Sequence, residues 1–144
     1  MKAKDLMIGD WIRLRYTDYL TREEVVKEFQ VGQLRYLSWD GRGETMYVGD
    51  DHQNMSTIDK MEPIPLTPEI LEKNGFGYIE KAFELTHFYL GEKHFCKNMD
   101  LHVGTDNKGN FWINTASNTI YGLHYVHEFQ HALRLCGIEK EIEL

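Results

Sequence analysis

The chain is poor in the residues that staple, break or insert. It holds only 2 cysteines and 3 prolines in 144 residues. Two cysteines, Cys96 and Cys136, are too few for a disulfide scaffold and lie outside any Cys-x-x-Cys pattern; a single bridge between them is the alternative. Reduced, mostly buried thiols of a cytoplasmic protein are the expectation. No apolar run reaches the ~18 residues that a membrane-spanning helix needs, so no membrane association is expected. The opening MKAKDLMIGDWIRLRY has two lysines but no long apolar stretch, which argues against a secretory signal.

Positive charge is also scarce. Lys and Arg number 16 against 23 Asp and Glu, a formal charge of −7. Proteins that grip nucleic-acid backbones draw their affinity from neutralising phosphates, so this balance weighs against that class. The densest cationic cluster is Arg13, Arg15 and Arg22, and Glu23 and Glu24 follow it at once. Solvated strand edges are expected there rather than a phosphate site. Missing too are a Gly-rich phosphate loop, a Gly-x-Ser-x-Gly elbow and a Cys–His nucleophile pattern.

What is present is core material: 42% apolar and 12% aromatic residues, enough for one domain or two very small ones. DWIRLRYT alternates Ile12, Leu14 and Tyr16 with Trp11, Arg13 and Arg15, the period of a half-buried strand. EVVKEFQVGQLRYLSW is β-branched and aromatic, with Gly32 as a bend or bulge. DGRG, Asp40 to Gly43, is a turn signal before ETMYVGDD. Strands at this spacing predict a small SH3-like bent sheet or barrel over residues 1–64.

PIPLTPEILEKNGFG then punctuates the chain. Thr67 is the expected N-cap, Pro68 the first helical residue, and Asn74-Gly75 the left-handed stop of a helix from Pro68 to Lys73. Residues 65–144 are expected to continue with a small antiparallel sheet. A turn at Asp106-Asn107-Lys108-Gly109 joins two of its strands. An amphipathic helix from about Tyr121 to Cys136 closes the unit at Gly137. The tail IEKEIEL is expected either to stay solvated or to add an edge strand through Ile138 and Ile142. The fold class is therefore α+β.

YVHEFQHALRL contains His-Glu-x-x-His. Histidines four apart share a helix face and can bind zinc, with the intervening glutamate as base to metal-bound water. His127, His131 and Glu128 meet that local requirement. The positions where the extended zinc-peptidase form carries a Gly and a third His hold Arg134 and Gly137. Glu139, Glu141 and Glu143 stand too near the helix end to fold back. An upstream ligand, such as His87, His94 or His102, is the open alternative. At about 100° per residue, Val126, Phe129, Leu133 and Cys136 form one stripe. That geometry predicts His124, His127 and His131 facing solvent beside Glu128 and Arg134. No catalytic residue, metal ligand or cofactor is therefore expected; His127, His131 and Glu128 are the set if zinc is present.

Weaker candidates have plain readings. His124 and His127 stand at chelating i, i+3 spacing but suit an exposed helix face. Trp11, Trp39 and Trp112 suit a sheet core better than a stacking platform. DDHQN, Asp50 to Asn54, lacks the alternate spacing of a calcium loop and reads as a surface turn.

PIPLTPEILEKNGF (Pro63 to Phe76), YVHEFQHALRLCGIE (Tyr125 to Glu139) and the opening MKAKDLMIGDWIRL together resemble a family of short proteins from gut anaerobic bacteria. Its genes often lie near prophage or mobile-element genes, and it carries no assigned activity. The resemblance implies a Val-His-Glu-Leu-Gln pattern on the closing helix. Val126, His127, Glu128 and Gln130 match it here, and Phe129 replaces the Leu. His131 is no part of that pattern. The expectation is a non-catalytic binding or adaptor module of a phage-like or mobile-element system, acting through a protein partner. The alternative is a small zinc-dependent hydrolase.

Overall fold

The computed structural model describes residues 6–38, 44–50, 55–82, 85–89, 101–115 and 118–144. Trp39, the Asp40 to Gly43 turn, residues 51–54, His94 and Cys96 lie outside them. The chain divides into two compact units, Met1–Ile64 and Pro65–Leu144.

The first unit is built from strands β1 (Trp11–Thr17), β2 (Glu24–Gln30), β3 (Gln33–Ser38), β4 (Glu44–Gly49), β5 (Met55–Thr57) and β6 (Met61–Pro63). They form two open three-stranded antiparallel sheets, β2-β1-β6 and β3-β4-β5; neither closes into a barrel. The alternation of β1 sends Ile12 inward to pack with Leu6, Val31, Val48 and Met61. Leu14, Phe29, Leu34 and Ile58 extend this core. Asp10 is fully buried, and its Oδ2 accepts the Met7 N–H at 2.7 Å. Between β1 and β2, Asp18 Oδ1 accepts the N–H groups of Leu20 (2.8 Å) and Thr21 (2.9 Å). Arg22 takes the left-handed conformation there (φ 62°), with its guanidinium 5.0 Å from the Tyr19 ring centroid.

The second unit opens with helix α1 (Pro68–Lys73). Thr67 Oγ1 accepts the Ile70 N–H at 3.4 Å, Pro68 begins the helix, and Gly75 adopts φ 83° beyond its end. A five-stranded antiparallel sheet follows in the order β11-β10-β9-β8-β7. Its strands are β7 (Tyr78–Ala82), β8 (Leu85–Tyr89), β9 (His102–Thr105), β10 (Phe111–Asn114) and β11 (Thr119–Leu123). Asp106 organises the β9–β10 turn: Oδ1 accepts the N–H groups of Lys108 (2.8 Å) and Asn110 (2.9 Å), and Oδ2 accepts Asn110 Nδ2 (2.6 Å). Gly109 supplies the positive φ of 77° that the turn requires. These hydrogen bonds, the Asn110 side chain first, hold the Asp106 carboxyl below its ordinary value.

The last helix, α2, spans Val126–Leu135. It is shorter than the expected Tyr121 to Cys136 because Thr119–Leu123 is strand, paired with Phe111–Asn114. Gly122 (φ 76°) forms a bulge where Phe111 pairs with Leu123 and Trp112 with Tyr121, and this bulge turns the chain toward the helix. Phe88, Val103, Phe111 and Ile113 of the sheet are buried with Leu71, Phe76, Val126, Phe129 and Leu133, forming the core of this unit. Phe76 meets Phe129 edge-to-face, with ring centroids 5.6 Å apart. Truncating Phe129 to Ala would cost about 3–5 kcal/mol.

The tail takes neither expected form. Asn74, itself buried, accepts the Glu143 N–H on Oδ1 (2.9 Å) and donates from Nδ2 to the Glu143 carbonyl (2.7 Å). Lys73 Nζ donates to the Leu144 carbonyl. One side-chain amide thus pairs with the tail as a strand neighbour would, and Ile142 beside it is 1% exposed. Residues 138–144 form no strand.

Candidate functional site

Within His-Glu-x-x-His, the glutamate is committed to the backbone. Glu128 Oε2 accepts the N–H of His124 at 2.7 Å and that of Tyr125 at 3.1 Å. Both donors precede the first turn of α2, where N–H groups have no partner within the helix. Glu128 stands at the third helical position, from which a glutamate reaches back to the cap. The negative carboxylate also suits the positive end of the helix dipole.

The histidines do not all face solvent, and the expectation is corrected here. His127 is 4% exposed and Gln130 5%, while His131 is half-buried and His124 exposed. Val126, His127, Phe129, Gln130, Ala132 and Leu133 are all buried. At about 100° per residue they cover roughly 220° of the helix surface, far more than an apolar stripe. Two contacts help to explain the difference. The Tyr125 ring stacks on His127, with centroids 5.9 Å apart and planes 10° apart. Pro65 bridges Tyr125 antiparallel, and the Leu66 N–H donates to the His124 carbonyl at 2.9 Å, so an extended segment lies along the helix entry.

The rings of His127 and His131 are 6.0 Å apart, nearly perpendicular at 82°. Among the described residues, no group of three His, Cys, Asp or Glu side chains could hold a metal ion. His87 and His102 do not join the helix pair; they join each other. His87 Nδ1 and His102 Nε2 are 2.7 Å apart, with the rings stacked at a centroid distance of 4.9 Å. His87 stands opposite Gly104 on β9, and Gly104 opposite Trp112 on β10. His102, two residues before Gly104, shares that face. Trp112 lies edge-on to His87 at 6.3 Å. Burial, and next the charge of His87, hold His102 below its ordinary value of 6.5.

Two arginines of the cluster are engaged with carboxylates, and Arg22 lies over the Tyr19 ring. Arg13 reaches Glu28 Oε1 through Nε (3.0 Å) and Nη2 (2.6 Å). Arg15 reaches Glu62 through Nε and Glu24 through Nη1, both at 2.9 Å. Such exposed pairs add little to stability, yet they offset the charge of Arg13 and Arg15. Trp11 and Trp112 are both partly buried, and Cys136 is a half-buried free thiol.

The first unit also carries a groove of about 890 Å³. Leu14, Tyr16, Phe29 and Met61 contribute apolar surface, with Lys27, Lys60 and Asp50 among its charged residues. Leu14 and Lys27 are direct cross-strand partners, so an aliphatic and a cationic side chain share one row. Sequence periodicity placed Leu14 and Tyr16 on one face but could not reveal the opening above them.

No family model, curated protein or solved structure matches the chain.

Proposed function

We propose that the chain is a non-catalytic binding or adaptor module of a phage-like or mobile-element system, acting in the cytoplasm through a protein partner. The observation that carries this reading is the commitment of Glu128 Oε2 to two backbone N–H groups. A hydrolytic base would need that carboxylate beside a metal-bound water, and here it caps a helix. The bent sheets of the first unit supply a partner-binding surface instead: the groove between β1–β2 and the Ser56–Met61 stretch. Support comes from the apolar contact area of Leu14, Tyr16, Phe29 and Met61, beside charged side chains available for a polar rim.

A photo-crosslinking residue at Tyr16 in the native host would identify the partner, and the purified pair would then be tested. Lys27→Glu and Lys60→Glu should each weaken binding at least tenfold, while Tyr121→Ala on the second unit should not. Unchanged binding in both groove variants would remove the groove from the reading. Peptide or ester hydrolysis by the purified chain, abolished in Glu128→Gln, would overturn the non-catalytic assignment.

A further inference from the structure

The outer face of the five-stranded sheet brings two imidazoles into chelating position. We propose that His87 and His102 form a two-histidine site for a divalent cation that prefers nitrogen ligands, zinc or copper in class. His87 sits in the middle of β8 and His102 at the start of β9, as diagonal neighbours across an antiparallel pair. Diagonal positions on one face lie within reach of long or aromatic side chains. Here the facing nitrogens, Nδ1 of His87 and Nε2 of His102, are 2.7 Å apart.

Tetrahedral coordination at Zn–N distances of about 2.0–2.1 Å sets the two nitrogens about 3.3 Å apart. The nitrogens therefore have to part by about 0.6 Å, and the rings, stacked with planes 30° apart, have to turn until both lone pairs meet the ion. In a neutral pair, a hydrogen bond at this distance needs a proton on one of the two facing nitrogens. Metal binding moves it: both facing nitrogens present lone pairs, and His87 Nε2 and His102 Nδ1 carry the protons. Two neutral imidazoles remain neutral through this change of tautomer, so charge and proton count balance.

Both rings are partly buried, and Trp112 stands edge-on to His87. Among the described residues no third His, Cys, Asp or Glu joins the pair, so a donor for the remaining positions is water or a group of a bound molecule there. Copper should bind more tightly than zinc, following the general order for nitrogen ligands.

The test is titration of the full chain with Zn²⁺ by calorimetry and with Cu²⁺ by quenching of tryptophan emission. The expected result is one ion per chain, with binding weakened roughly 100-fold or more in both His87→Gln and His102→Gln, beyond the 10–100-fold that outer-sphere changes cost. His127→Gln and His131→Gln should bind as the parent does. Histidine nitrogen resonances of the unaltered chain, followed during Zn²⁺ addition, give a readout independent of variant folding; His87 Nδ1 and His102 Nε2 should shift together. Parent-like binding in either His87→Gln or His102→Gln would overturn the site. So would loss of binding in the α2 variants, or no binding by the unaltered chain.

Discussion

Gly104 lies beneath the indole of Trp112: a Cβ added at Gly104 would fall 2.1 Å from ring atoms Cε2 and Cζ2. The two residues face each other across β9 and β10, and His87 faces Gly104 from β8. The missing side chain gives the indole its place, and the indole in turn approaches His87. Gly104→Ala should expel the ring at a cost of about 1–3 kcal/mol, as overpacking does. Denaturant titration would measure the loss, and Trp112 emission should shift to longer wavelength as its exposure rises.

The capping role of Glu128 makes a separate prediction. Glu128→Ala should lower stability by about 1 kcal/mol through lost hydrogen bonds at the helix start. Glu128→Gln keeps an accepting oxygen and should lose less. Urea midpoints of the two variants check the order; equal losses would mean that the carboxylate charge, not the hydrogen bond, matters.

Asn74 is the clip for the tail. Asn74→Ala removes one donor and one acceptor from a buried pair and should cost about 1–3 kcal/mol. Hydrogen exchange at the Glu143 amide should accelerate sharply, while exchange at the β9–β10 ladder should change only by the global loss of stability.

Acid should weaken the second unit through His102. Because the folded state holds this histidine below 6.5, the unfolded chain takes up the proton more readily. Its contribution is therefore fully present above about 6.5 and is lost as pH falls through the depressed folded value. Comparing urea midpoints at about pH 7.5 and about pH 5.5 checks this. The parent should lose more on acidification than His102→Asn, and the same loss in both would remove His102 as the cause.

Much of the fold was legible locally. Thr67, Pro68, Asn74 and Gly75 mark α1 because caps and stops act over one turn of backbone. Asp106 and Gly109 mark the β9–β10 turn for the same reason. The alternation of β1 foretold Ile12 in the core. The sequence pattern carries Tyr121–Leu123 into the helix, because an apolar run next to a helical pattern does not show where the period changes. The bulge at Gly122 marks that place.

The sequence by itself determined the α+β class, the helix caps, the turn at Asp106–Gly109 and which face of β1 turns inward. Each follows from short-range sterics and hydrogen bonding within a few residues. Only the tertiary structure decided that His127 is buried, that Glu128 spends its carboxylate on the backbone and that Asn74 holds the tail. It alone brought His87 to His102. Those outcomes depend on strand register and on what packs against each helix face, and both are set by contacts between residues far apart in the chain.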